Sequence, residues 1–150
     1  MKRLYPEGPI VGIGAIIIQN GRILLEKRGN DPGRGKWSVP GGIVELGENP
    51  EQTVIREVQE ETGLVVDAPE LIDVISSVTL DEGGRVKYHF LIVDYLVKLR
   101  GGTAKAASDA AELEWVRLQE VEQRDLTKSF RSFFQKNRKR LETISSPPKE

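Results

Sequence analysis

Glu57, Glu60 and Glu61 stand three and four residues apart, directly after a glycine-rich stretch. On a helix such residues are neighbours on one side, and like charges there repel by a few tenths of a kcal/mol per pair. A hard divalent cation reverses the sign of that effect, because carboxylate and carbonyl oxygens are the ligands that Mg2+, Mn2+ or Ca2+ takes. The cluster reads as a metal site built from oxygen donors. The chain contains no cysteine, which excludes disulfides, thiolate catalysis and zinc–thiolate centres.

The element that must carry these glutamates is a helix with legible ends. Asn49 is a good N-cap, Pro50 suits the first helical position, Glu51 follows in the first turn, and Gly63 supplies a stop. Val54, Ile55, Val58 and Leu64 offer apolar contacts while the glutamates face elsewhere. Upstream, residues 11–18 and 22–28 are strand-like runs joined by Asn20-Gly21, so the chain is expected to open with a β-hairpin. Residues 29–36 have loop composition, and 37–40 and 43–45 read as short extended pieces around a turn at Gly41-Gly42. Downstream, 71–80 and 86–99 read as long antiparallel strands, 101–110 as a loop and 113–118 as a strand. A last helix over 126–141 turns Phe130, Phe133 and Phe134 to the core. One domain over 1–142 is expected, followed by a disordered tail over 143–150.

Composition narrows the class. At 150 residues, 38% hydrophobic and 30% charged, the chain has the size and polarity of one soluble domain. No apolar run reaches the roughly 18 residues of a transmembrane helix. Pro6 and Pro9 interrupt any signal-peptide core after Met1-Lys2-Arg3, so a cytoplasmic location is expected, with no membrane partner. A net charge of −1 makes no case for duplex nucleic acid as partner, and the basic run at 136–140 reads as the solvated face of a helix.

Residues 42–64 resemble the signature box of the Nudix (MutT-like) hydrolases, Gly-x5-Glu-x7-Arg-Glu-U-x-Glu-Glu-x-Gly-U, where U is aliphatic. Gly42, Glu48, Arg56, Glu57, Val58, Glu60, Glu61, Gly63 and Leu64 fill every position. A random window would match at roughly 10⁻⁹. The approach, Trp37-Ser38-Val39-Pro40-Gly41-Gly42, is similar to the family's Trp-x-x-Pro-Gly-Gly.

The resemblance implies an α+β Nudix fold, an α/β/α sandwich around a mixed, mostly antiparallel sheet. It implies Mg2+ (or Mn2+) bound by Glu57, Glu60, Glu61 and the main-chain carbonyl of Gly41, with Arg56 and Glu48 as a pair that buttresses the loop against the helix. An arginine there would also suit phosphate. Asp109 and Glu112 precede Trp115 where relatives carry an acidic residue on a loop toward the metal, so each is a candidate further ligand or general base. Arg28, Arg34 and Lys36 are candidates for holding phosphates; Trp37, Tyr88 and Phe90 are candidates for stacking on a base, and His89 is a candidate pocket residue. The implied activity is Mg2+-dependent hydrolysis of a nucleoside diphosphate linked to another moiety, with ADP-ribose-type substrates ahead of a (d)NTP or oxidised dGTP. The alternative from another class is a non-catalytic, nucleotide-sensing module, but the box has lost none of its glutamates. A homodimer is left open, and no base-reading motif is identifiable.

Overall fold

The computed structural model describes residues 2–107 and 109–145. Strand β1 (Ile10–Ile16) lies between β5 (Gly41–Ile43) and β7 (Val86–Gly101), and β6 (Val65–Leu80) closes the far edge, giving the order β5-β1-β7-β6. A second sheet is centred on β3 (Arg22–Arg28), which pairs with β8 (Ala110–Arg117), β2 (Ile18–Gln19) and β4 (Trp37–Ser38). Among the described residues only β1 and β7 form a parallel strand pair, with Ile10 opposite Phe90 and Ile16 opposite Leu96.

Successive residues of a strand face opposite ways, and here both faces are buried. Ile16, Ile23 and Leu25 pack against Phe130, Phe133 and Phe134 of α2 (Lys128–Ser145). Ala15, Ile17 and Leu24 pack against Val54 and Val58 of α1 (Pro50–Thr62). Helices thus cover the sheets from both sides, which is the expected α/β/α sandwich. The ends of α1 are as expected: the Asn49 side chain accepts from the Gln52 N–H at 2.9 Å, the Asn49 N–H donates to Gln52 Oε1 at 3.0 Å, and Gly63 takes a left-handed φ of 75°.

Several expectations need correction. The opening hairpin is short, because the chain leaves β1 at Ile16 and only β2 pairs with β3, across a turn with φ 54° at Asn20 and 75° at Gly21. A run buried on both faces carries no mark of where it changes sheet. Gly41 and Gly42 form strand β5 rather than a turn. Strands β6 and β8 begin earlier than expected, at Val65 and Ala110. Helix α2 starts two residues later than expected and continues through Ser145, so residues 143–145 of the expected tail are helical; 146–150 lie outside the described residues. Among the described residues, no helix is long and apolar enough to cross a membrane.

Candidate metal and substrate site

Helix α1 positions its carboxylates through one arginine. Arg56 grips Glu48 with two hydrogen bonds, Nε to Oε2 at 2.8 Å and Nη2 to Oε1 at 2.9 Å. Its Nη1 donates to Glu57 Oε1 at 2.9 Å and to Glu60 Oε2 at 3.1 Å. Thr53 Oγ1 also donates to Glu48, at 2.7 Å. The Arg56 guanidinium, aided by Thr53, holds the Glu48 carboxyl down to about 2. The turn before α1 is thereby tied to the helix face, which is the geometry a buttressing pair requires.

Glycine lets the sheet approach that face. A Cβ on Gly42 would lie 2.3 Å from Glu57 Cδ, and one on Gly41 would lie 2.2 Å from the Ile13 carbonyl oxygen. The Gly41 N–H donates to Glu61 Oε1 at 3.0 Å. Glu57 and Glu61 thus rest against the β5 backbone and line a cavity of about 380 Å³ that crosses the sheet from β5 to β6. Arg28, Lys36 and Asp109 line the same cavity. Arg28 Nε donates to the Pro32 carbonyl at 2.7 Å, and Asn30 Nδ2 donates to Asp109 Oδ1 at 2.8 Å.

The other candidates lie elsewhere. Glu60 is half-exposed on Arg56, outside the cavity lining. Glu112 pairs with Lys27 at 3.5 Å, and Arg34 is exposed. Trp37 packs on the α2 core beneath the Arg124 guanidinium, 5.2 Å from its ring centroid. On β7 the alternation gives Phe90, Ile92 and Asp94 to the cavity, so Tyr88 shares their parity while His89 faces the opposite way, its Nε2 3.3 Å from Ser76 Oγ.

Two acids in the cavity were not among the sequence candidates. Glu26 of β3 is 3% exposed, and its Oε2 has no hydrogen-bond partner. Burial, with Glu61 beside it, pushes the Glu26 carboxyl up; burial likewise raises Glu61 and Glu57. Asp94 is also 3% exposed, and burial, with a contribution from Asp73, raises it to about 8. Strand parity becomes a signal only once the register is known: Glu26 shares the parity of buried Leu24, and Asp94 that of Phe90 and Ile92.

Among the described residues no three acidic or histidine side chains already converge on one point, since Arg56 holds Glu57 and Glu60 while Gly41 holds Glu61. The donor set still fits a hard cation. It consists of carboxylates gathered in one cavity, with Glu26 and Glu61 buried and Glu26 carrying an unpartnered oxygen, and no histidine or cysteine lines the cavity. Arg56 remains anchored by its two bonds to Glu48 if Glu57 and Glu60 turn away from it.

A family model described as the NUDIX domain matches residues 8–136. The chain belongs to the NUDIX family. Its NUDIX domain is 41% identical over 113 residues to a protein named ADP-ribose pyrophosphatase from Methanocaldococcus jannaschii, covering 75% of this chain and 64% of that one. The chain therefore spans less than two thirds of that relative's length. An 8-oxo-dGTP diphosphatase from Escherichia coli (strain K12) is 42% identical over 55 residues, covering 36% of this chain and 43% of that one. The crystal structure of a MutT NUDIX hydrolase from Burkholderia pseudomallei superposes with a TM-score of 0.74 at 32% identity, covering 86% of this chain and 98% of that one. NUDIX hydrolases generally need a divalent metal.

Proposed function

We propose that this NUDIX chain is a Mg2+- or Mn2+-dependent pyrophosphohydrolase that cleaves a nucleoside diphosphate linked to another moiety, with ADP-ribose-type substrates favoured. The observation that carries the reading is one continuous cavity. It joins Glu57, Glu61 and the β5 backbone to the cations Arg28 and Lys36, and then to an apolar slot of Ile75, Phe90, Ile92 and Phe130. A diphosphate needs positive charge beside it, and a nucleoside needs an apolar cleft with few polar groups. The name of the Methanocaldococcus jannaschii relative supports the same substrate class.

Glu57, Glu61 and the Gly41 carbonyl would hold the cation, with Glu60 joining them once it leaves Arg56. Bound there, a divalent cation supplies positive charge to the diphosphate oxygens and acidity to nearby water. Arg28 and Lys36 lie where a phosphate would meet them. Water attacks phosphorus, the anhydride P–O bond breaks, and the products are a nucleoside monophosphate and the phosphorylated second moiety. Asp109 shares the cavity with Glu57 and Glu61 and is held by Asn30, so it is better placed than Glu60 to take the proton from that water. The rest of the rate comes from positioning and electrostatics.

A (d)NTP or oxidised dGTP is the second reading, supported by the Escherichia coli relative, although that match covers only 36% of this chain. A product-resolved assay over a nucleotide panel with Mg2+ and Mn2+ separates the two. ADP-ribose giving AMP and ribose 5-phosphate is expected. Turnover confined to triphosphates, with pyrophosphate released, would overturn the first reading in favour of the second.

A further inference from the structure

We propose that Asp94 reads the base of the bound nucleotide, its carboxyl pairing with the N1 and 6-amino edge of adenine. This rests on the nucleoside-diphosphate reading and narrows it to one base.

Asp94 is 3% exposed on β7, and no described group donates a hydrogen bond to its side chain. Of the other buried acids of the cavity, Glu61 accepts from Gly41, while Glu26 lies against Glu61 and leaves its Oε2 without a partner. The space that Asp94 occupies is made by a missing side chain. A Cβ on Gly14 would stand 2.2 Å from Asp94 Oδ1 and 3.2 Å from Val39 Cγ2. Burying a carboxyl without a partner is costly, so a group in the cavity's occupant is the natural complement.

The position decides what that group is. Gly14 lies opposite Gly41 on one side and Asp94 on the other, so two strand spacings, roughly 10 Å, separate Asp94 from the backbone beside Glu61. That is the reach from a diphosphate to its nucleoside. A phosphate is a poor occupant beside a carboxyl, and the cations Arg28 and Lys36 belong to other elements. Ile92, Phe90, Ile75 and Phe130 give the slot apolar walls suited to a ring. A neutral carboxyl offers one donor and one acceptor, which matches the N1 acceptor and amino donor of adenine; guanine presents two donors at N1 and N2. Burial favours that neutral form at pH 7, since it raises Asp94 to about 8.

The test is calorimetric binding, in Mg2+ at pH 7, of AMP, purine riboside 5′-monophosphate (AMP without its amino group), GMP and ribose 5-phosphate. The proteins are the wild type, Asp94→Asn and Asp94→Leu, with folding checked by circular dichroism. The wild type should bind AMP at least about 10-fold more tightly than the des-amino analogue. Asp94→Asn keeps a donor and an acceptor and should retain that preference within about threefold. Asp94→Leu should erase it and leave ribose 5-phosphate binding unchanged. Equal binding of AMP and the analogue by the wild type, tighter binding of GMP than AMP, or an equal loss for AMP and ribose 5-phosphate in Asp94→Leu would each overturn the assignment. Binding is read without turnover, so a hydrolysis assay that fails on every diphosphate overturns the enzymatic reading alone.

Discussion

Gly42→Ala isolates the placement of a single carboxylate. The added Cβ would stand 2.3 Å from Glu57 Cδ and 2.5 Å from its Oε1, against ordinary contact at 3.4 Å or more, so the carboxyl must retreat by about 1 Å. Gly42 has no positive φ, and alanine brings no backbone strain there. Two effects of different size follow. The retreat weakens the 2.9 Å bond from Arg56 to Glu57, a charge-assisted hydrogen bond worth about 1.5–3 kcal/mol at most, while the Arg56 bonds to Glu48 persist. At roughly 2–4 °C per kcal/mol for a domain of this size, Tm should fall by no more than about 12 °C. Misplacing a reacting group by 1 Å can cost about 10²-fold in rate, so kcat should fall by about that factor. Steady-state kinetics in Mg2+ and a thermal melt measure the two quantities. Gly8→Ala is the control, because no atom lies within 4 Å of its added Cβ. A folded Gly42→Ala enzyme within threefold of wild-type kcat would refute the argument that Glu57, held against β5, carries the metal chemistry.

The remaining predictions use the same geometry. Glu57→Gln and Glu61→Gln should each lower kcat by at least about 10²-fold while the fold survives, and Glu48→Gln should cost less because it acts through Arg56; more than half the activity left in both ligand variants would sink the metal assignment. EDTA should abolish turnover and Mg2+ or Mn2+ should restore it, whereas full turnover in EDTA would rule the mechanism out. Asp94 rises from an ordinary 3.8 to about 8 on folding, so between those values the native state holds more protons than the unfolded chain. The stability contributed by this group is therefore present at low pH and lost as pH climbs from about 4 to 8, with a slope of at most about 1.4 kcal/mol per pH unit. Urea unfolding of the wild type and Asp94→Asn at pH 5, 6, 7 and 8 checks this, and identical slopes would contradict it.

What was legible in the sequence was local. Asn49, Gln52 and Gly63 define α1 by chemistry that acts within a turn of the chain, and the spacing of Arg56, Glu57, Glu60 and Glu61 follows once the helix exists. The Glu48–Arg56 pairing came through the resemblance, and the seven residues between them include a cap and the first turn and a half or so of helix, so the separation alone does not imply the contact. The sheet switch at Ile17 was invisible, because an apolar residue buried from both sides satisfies either sheet equally.

The rest turned on strand parity, which needs one anchor before it decides anything. In residues 86–99 either parity is compatible with the amino-acid types, and the choice is made by the parallel register that sets Ile10 against Phe90 and Gly14 against Asp94. That register joins segments 80 residues apart, and nothing local encodes it. Once it is set, the pieces move together: Phe90, Ile92 and Asp94 enter the cavity, His89 is excluded, and Gly14 becomes the residue that makes room. The same rule on β3 takes Glu26 inward with Leu24 and toward Glu61, while Lys27 turns to Glu112 on the outside. A charged residue in a strand is ordinarily assigned to solvent. In this chain two such residues, Glu26 and Asp94, instead put buried acid into the cavity, one beside the carboxylates of α1 and the other across β1 where the nucleoside would lie.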